Sequence, residues 1–189
     1  MLTGTTDTGK FVATKELTRH QELGPLPARE ASLSLALRSL QDPERMVRLD
    51  TFASEGPARA TGGEVYELLF GVRGPWEAPP SHVVYAIWSI RDQERTAAFV
   101  ESRRQLFTLR QQVLPTFAAD WLLKHTDHEG RYMVVGFYGD EAGASRLCRE
   151  HPLIKQFAAA HPASDYSAVD QTGLLCWRIQ DFSPATGPV

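Results

Sequence analysis

The chain has 189 residues, 42% of them hydrophobic and 23% charged, with a formal net charge of -3. This composition excludes wholesale disorder and leaves room for one large domain or two small ones, each with a real core. The charge is spread evenly, nine Lys or Arg against eleven Asp or Glu over residues 1–80 and eleven against twelve beyond. The basic face that nucleic-acid binding requires is therefore missing, and no nucleic-acid partner is expected.

In chain order, residues 1–10 are rich in Thr and Gly and predict a loose N-terminus. Nothing in MLTGTTDTGK resembles the basic and apolar regions of a signal peptide, and no apolar run approaches bilayer length. The expectation is a cytoplasmic protein with no membrane partner. Lys10 to His20 reads as an extended strand, stopped by Gly24-Pro25-Leu26-Pro27. Ser32 to Leu40 is two-sided: Leu33, Leu35 and Leu37 alternate as in a half-buried strand, while Leu33, Ala36, Leu37 and Leu40 also fit a helical face. Asp42-Pro43 makes a turn, and MVRLDTFA and EVYELLFGV look extended on either side of EGPARATGG. If Ser32 to Leu40 is a strand, residues 11–74 form a small antiparallel meander; if a helix, they form an incomplete, diverged copy of the C-terminal domain. The meander is the preferred reading. Pro75, Pro79 and Pro80 mark a linker over residues 75–81.

The pattern is cleaner over residues 82–180, before a short tail at 181–189. His82 to Ile90 is a β-branched and aromatic strand, and Asp92 caps the helix after it. Phe99, Leu106 and Val113, with Val100, Phe107 and Leu114, recur every seven residues and draw an apolar stripe that ends at Pro115. Arg95, Arg103, Arg104 and Arg110 fall mainly off that stripe, and Arg103-Arg104 reads as a wet helix face. AADWLLKHT and RYMVVGFY flank the hairpin turn DHEG. Asp140 caps EAGASRLCRE, His151-Pro152 breaks it before PLIKQFAAAH, and GLLCWRIQ supplies a last strand. The fold class is α+β: a βαββαβ domain of the split βαβ, ferredoxin-like kind, preceded by a smaller, mainly β region. Because Tyr85 and Ile87 alternate with Val84, Trp88 and Ile90, both faces of the first strand carry apolar bulk. Helices cover one face, so a second copy of the chain or the N-terminal strands must cover the other.

The residues Phe137-Tyr138-Gly139-Asp140-Glu141-Ala142 and Glu150-His151-Pro152-Leu153-Ile154 resemble the middle of the antibiotic-biosynthesis-monooxygenase-like family, a strand with an aromatic end followed by an acidic cap and two broken short helices. The resemblance covers the C-terminal half. It implies a dimeric α+β barrel, a homodimer joined through the sheet face, and an interior that binds, or oxidises without metal or flavin, a small aromatic or polyketide-like molecule. The haem-degrading branch uses an Asn, a Trp and a His; this chain has no Asn, and Leu147 and Phe157 fall near the other two positions. The quinone-forming branch also uses an Asn. A non-catalytic small-molecule-binding or interaction protein that reuses the barrel is the alternative.

Within that resemblance His151 is the candidate base and Tyr138 a hydrogen-bond donor, with Tyr85, Trp88, Trp121 and Arg131 as candidate substrate-binding residues. His151 and the tryptophans have plainer explanations: a helix-start His caps or faces water, and strand tryptophans, Trp177 included, pack cores. His125 and His128 sit at a hairpin tip whose successive residues diverge, so no metal is expected there. Cys148 and Cys176 lack CxxC spacing and read as buried free thiols. No cofactor motif is present.

Overall fold

The computed structural model describes residues 11–17 and 31–184. The expected loose residues 1–10, the Gly24-Pro25-Leu26-Pro27 stop and the end of the tail lie outside them. Strands are β1 (Phe11–Leu17), β2 (Ala31–Ser39), β3 (Met46–Phe52), β4 (Glu64–Arg73), β5 (His82–Ile90), β6 (Phe117–His125), β7 (Arg131–Tyr138), β8 (Ala168–Asp170) and β9 (Leu175–Pro184). Helices are α1 (Glu55–Ala60), α2 (Thr96–Val113), α3 (Cys148–Glu150) and α4 (Pro152–Ala160), with a π-helical turn over Gly143–Leu147.

Every strand pairing is antiparallel, in the order β7-β6-β4-β1-β3-β2-β9-β5-β8. Pairing of β5 with β7 closes this sheet into a barrel, and the three-residue β8 lies on the free end of the β5 edge. The first half of the chain is ordered β4-β1-β3-β2 and the second β9-β5-β7-β6. The second strand of each half is joined to the fourth strand of the other, β2 to β9 and β6 to β4. The halves are thus related by an approximate two-fold arrangement. Ser32 to Leu40 is a strand, but a meander is not what forms: β1 lies between β3 and β4 and does not touch β2. Local periodicity fixes a strand's faces and says nothing about its neighbours. EGPARATGG, read as a separator, contains α1.

The period-two pattern sorts side chains between two cores. Inside the barrel lie Leu35, Leu37, Leu49, Tyr66, Tyr85, Ile87, Trp121, Met133, Phe137 and Trp177. On its outer face Val84, Ile90, Leu122, Val134 and Tyr138 meet Phe99, Leu106 and Phe107 of α2 and Ile154 of α4. The sheet face that the helices leave bare is therefore covered within the chain by β1 to β4, the second of the two expected covers. Residues 75–81 are held in place: the Trp76 N–H donates to the Phe117 carbonyl (3.1 Å), the Ser81 N–H to that of Tyr138 (3.0 Å), and Pro80 is buried.

The helix caps form as expected. Asp92 Oδ1 accepts from the Glu94 N–H at 3.0 Å and Asp140 Oδ1 from the Gly143 N–H at 2.6 Å. Gly130, at φ 75°, turns the hairpin. Arg104 is exposed, but Arg103 departs from the wet-face expectation, and Arg110 is buried as well. Arg110 pairs with the fully buried Asp120 on β6 at 2.9 Å, while Arg103 lies over the rings of Trp88 and Phe99. Positions 103 and 110 follow Phe99 at helical spacing, so they face the sheet, where Arg110 meets the Asp120 carboxylate and Arg103 the Trp88 ring, with Phe99 of its own helix beside it.

Candidate functional site

One end of the barrel is open. It is formed by the end of β1, the starts of β3, β4 and β7, and the end of β5, brought together by the registers Glu16 to Val47, Thr14 to Glu64 and Ile87 to Met133. A half-open recess of about 240 Å³ lies there, with Val47, Tyr85, Ile87 and Met133 as its apolar lining and Thr14, Lys15, Glu16, Arg45, Glu64 and Thr172 as its polar lining.

The walls are tied together by ring stacking and hydrogen bonds. Tyr85 stacks on the fully buried Trp177, centroids 5.3 Å apart and planes 14° from parallel, and the Arg45 guanidinium sits 5.5 Å from the Trp177 ring. Arg45 also donates from Nε to Glu16 at 2.9 Å. Glu64 accepts from the Tyr66 hydroxyl at 2.8 Å and from Arg131 at 2.8 and 3.1 Å on its two oxygens. The β8–β9 turn closes one side, because Thr172 Oγ1 accepts from the Ile87 N–H at 3.0 Å and the Gln171 N–H donates to the Ile87 carbonyl at 2.8 Å. Burial pushes the Tyr85 hydroxyl up to about 12 against the opposing pull of Arg45. Tyr85 thus presents a protonated donor, and its hydroxyl has no hydrogen-bond partner among the described residues.

The predicted site residues divide among three places. Tyr85 lines the recess, and Arg131 stands behind it, held by Glu64. Trp121 is deeper in the barrel, packed edge-on against Phe137 at 4.5 Å. Trp88, Tyr138 and His151 are on the other side of the sheet. Trp88 lies under α2 against Phe99, and His151 is at the kink before α4 with its Nδ1 buried and unbonded. Tyr138 is fully buried beside Phe117 with an unbonded hydroxyl, near the Arg110–Asp120 pair, and burial raises it well above the ordinary tyrosine range. The proposed base and its donor therefore do not share a cavity with Tyr85. Sequence reasoning misses Lys15, Glu16, Arg45, Glu64 and Thr172. They meet only through pairings between distant strands, and no local signal marks them.

A second recess of about 250 Å³ at the β6–β7 hairpin is lined by Arg59, Gly63, Glu64, Val65, His125, Asp127 and His128. His125 is buried rather than solvated, and its Nδ1 accepts from the N–H groups of Asp127 (3.0 Å) and His128 (3.2 Å). Among the described residues no group of three His, Cys, Asp or Glu could hold a metal ion, and no helix is long and apolar enough to cross a membrane.

Solved structures resemble this barrel along its length. A ferredoxin-fold protein of Listeria monocytogenes related to antibiotic biosynthesis monooxygenases superposes with a TM-score of 0.65 at 14% identity, over 93% of this chain and 96% of the other. The likeness is one of fold. An anthrone oxidase-like protein (TM-score 0.63, 9% identity, 94% of each chain) has the same architecture. So does a haem-degrading enzyme of Listeria monocytogenes (TM-score 0.58, 14% identity, 89% of this chain and 99% of the other). No family model and no curated protein sequence matches the chain.

Proposed function

We propose that this chain is a small-molecule-binding protein built on two tandem ferredoxin-like halves, and that its ligand, a one-ring aromatic or a molecule of that size, occupies the mouth of the barrel. The recess at Tyr85, Ile87 and Met133 carries this reading: an apolar lining with a few convergent polar groups is the ordinary feature of a small-ligand site. Its 240 Å³ falls below the roughly 300–1,000 Å³ of sites for drug-sized ligands. That favours a single ring over a macrocycle. Among the described residues Leu35, Leu37, Leu49, Trp121, Phe137 and Trp177 pack against one another deeper in the barrel. A homodimer through the sheet face is not needed to complete such a site.

The test is titration of one-ring phenols and aromatic acids into the full chain, followed by tryptophan fluorescence, since Trp177 touches Tyr85, and by native mass spectrometry. The Ile87→Trp variant fills the recess and should abolish binding. Equal binding by wild type and I87W would move the site elsewhere.

Cofactor-independent oxidation of the bound aromatic is a second reading, favoured by one observation: Tyr85 keeps its proton and can donate to a ligand oxygen while Arg45 stands beside it. It predicts O₂ consumption with electron-rich phenols, reduced in Tyr85→Phe even when the variant is saturated with substrate. Binding without O₂ uptake across the panel would leave the non-catalytic reading alone.

A further inference from the structure

The mouth and the hairpin recess have one wall in common. Glu64 lines both, with Tyr85 and Met133 across from it in the first and His125 and His128 in the second. The charges of the hairpin recess are already answered. Both oxygens of Glu64 accept from Arg131, and both oxygens of Asp127 accept from Arg59, at 2.9 and 2.7 Å. Arg59 also donates from Nε to Glu55 at 2.8 Å. Neither carboxylate of the recess keeps an oxygen without an arginine N–H, and its guanidinium is divided between two carboxylates.

His125 is in a different condition. Its Nδ1 accepts from the N–H groups of Asp127 and His128, so that nitrogen presents its lone pair and the ring proton sits on Nε2. Burial, with His128 and Arg131 nearby, holds the ring below the ordinary 6.5, and at neutral pH it carries this one proton. The Tyr66 ring meets it edge-on at 4.8 Å, and the His128 ring lies 4.5 Å away. The residue is only 5% exposed, yet its Nε2–H has no hydrogen-bond partner among the described residues and is not one of the sealed, unbonded atoms of the interior. It therefore opens into the recess that His125 lines. A neutral donor held in one orientation, in a recess whose charges are matched, suits a neutral acceptor oxygen.

We propose that the ligand of the mouth carries a neutral, carbonyl-bearing arm that passes over Glu64 and accepts a hydrogen bond from His125 Nε2 in the hairpin recess. This inference rests on the mouth being the ligand site and goes further by adding a second subsite and the chemistry of the group it takes.

The experiment is calorimetric titration of the full chain with four phenols that differ in the arm: 4-ethylphenol, N-acetyltyramine, tyramine and 3-(4-hydroxyphenyl)propanoate. N-acetyltyramine should bind about fivefold more tightly than 4-ethylphenol, the worth of one well-made neutral hydrogen bond, and the two charged arms should gain less. In His125→Asn, whose amide oxygen still accepts the hairpin N–H groups, the ratio of the N-acetyltyramine and 4-ethylphenol affinities should fall toward one. Nitrogen NMR of the wild-type imidazole gives a reading that needs no variant: N-acetyltyramine should shift the His125 Nε2 resonance and 4-ethylphenol should not. Equal binding of those two probes, a gain that survives in His125→Asn, or an unmoved Nε2 resonance overturns the subsite and leaves the mouth as a site. A larger gain by tyramine or by the propanoate overturns the neutral arm in favour of a cation or an anion. No binding by any probe, or binding that I87W does not affect, overturns the mouth reading and the subsite with it.

Discussion

Replacing Arg110 by Met removes one partner of the ion pair that α2 makes with the sheet, and leaves Asp120 as a buried carboxylate with no countercharge. The side chains are 9% and 0% exposed and meet at 2.9 Å. Arg110 Nε also donates to the Cys148 carbonyl at 3.1 Å, so the substitution unties α3 as well. Even in the intact pair, burial outweighs the attraction of Arg110 and pushes the Asp120 carboxyl up to about 6. Breaking such a pair on one side costs about 3–5 kcal/mol. For a chain of this size that lowers the melting temperature by on the order of 10 °C. The loss should be smaller at pH 5 than at pH 7.5, because the orphaned carboxyl escapes by taking a proton, at about 1.4 kcal/mol per pH unit. Urea unfolding at both pH values reads this, and the double variant Arg110→Met/Asp120→Leu should recover most of the stability because no charge is left behind. A loss below about 1 kcal/mol at pH 7.5, or an equal loss at both pH values, would show that the pair is not electrostatically buried.

The same geometry sets three further outcomes. Gly136→Ala places a Cβ 2.5 Å from Asp120 Oδ1 and 2.9 Å from the Tyr138 ring, and should cost about 1–3 kcal/mol in chemical denaturation. Trp177→Ala removes a fully buried indole and the ring on which Tyr85 stacks; it should cost about 3–5 kcal/mol and weaken any ligand that binds at the mouth. Burial, with neighbouring positive charge, holds His82 and His125 below the ordinary 6.5. The unfolded chain therefore takes up their protons first as pH falls through 6.5, and their contribution to stability is full above that value and declines below it. Asp120, raised in the folded state, acts in the opposite sense between about 3.8 and 6. The histidine contribution is accordingly read as wild type minus His125→Asn, whose amide oxygen accepts the hairpin N–H groups but does not titrate. Parallel pH profiles for the two proteins would refute it.

What the sequence reveals here is what neighbouring residues decide among themselves. The β5 strand, the α2 stripe, the Gly130 hairpin and the caps at Asp92 and Asp140 are written in adjacent side chains, and each is found where its pattern lies. The N-terminal order is not written that way. FVATKEL carries the same alternation whether β1 sits beside β2 or between β3 and β4, and only the pairing decides. The same limit hides the mouth: Lys15, Arg45, Glu64 and Tyr85 are scattered through the sequence and become neighbours through register alone. Tyr85 is legible because it is an aromatic on a clear strand. Tyr138 and His151 stand out by their chemistry alone, and the pleat that turns Tyr85 inward turns Tyr138 outward, toward the helices.

The crosswise joining of the two halves has a consequence for how this chain is made. The outer edge of β2 has no partner until β9 is synthesised, some 140 residues later, and β4 waits for β6 in the same way. During translation the first half leaves the ribosome with two bare sheet edges and an uncovered interior face, the condition in which nascent chains pair with one another or recruit chaperones. Pairings so distant in sequence also slow ring closure. Pulse-labelled hydrogen exchange during refolding should accordingly protect the β5–β7 amides before those of β2.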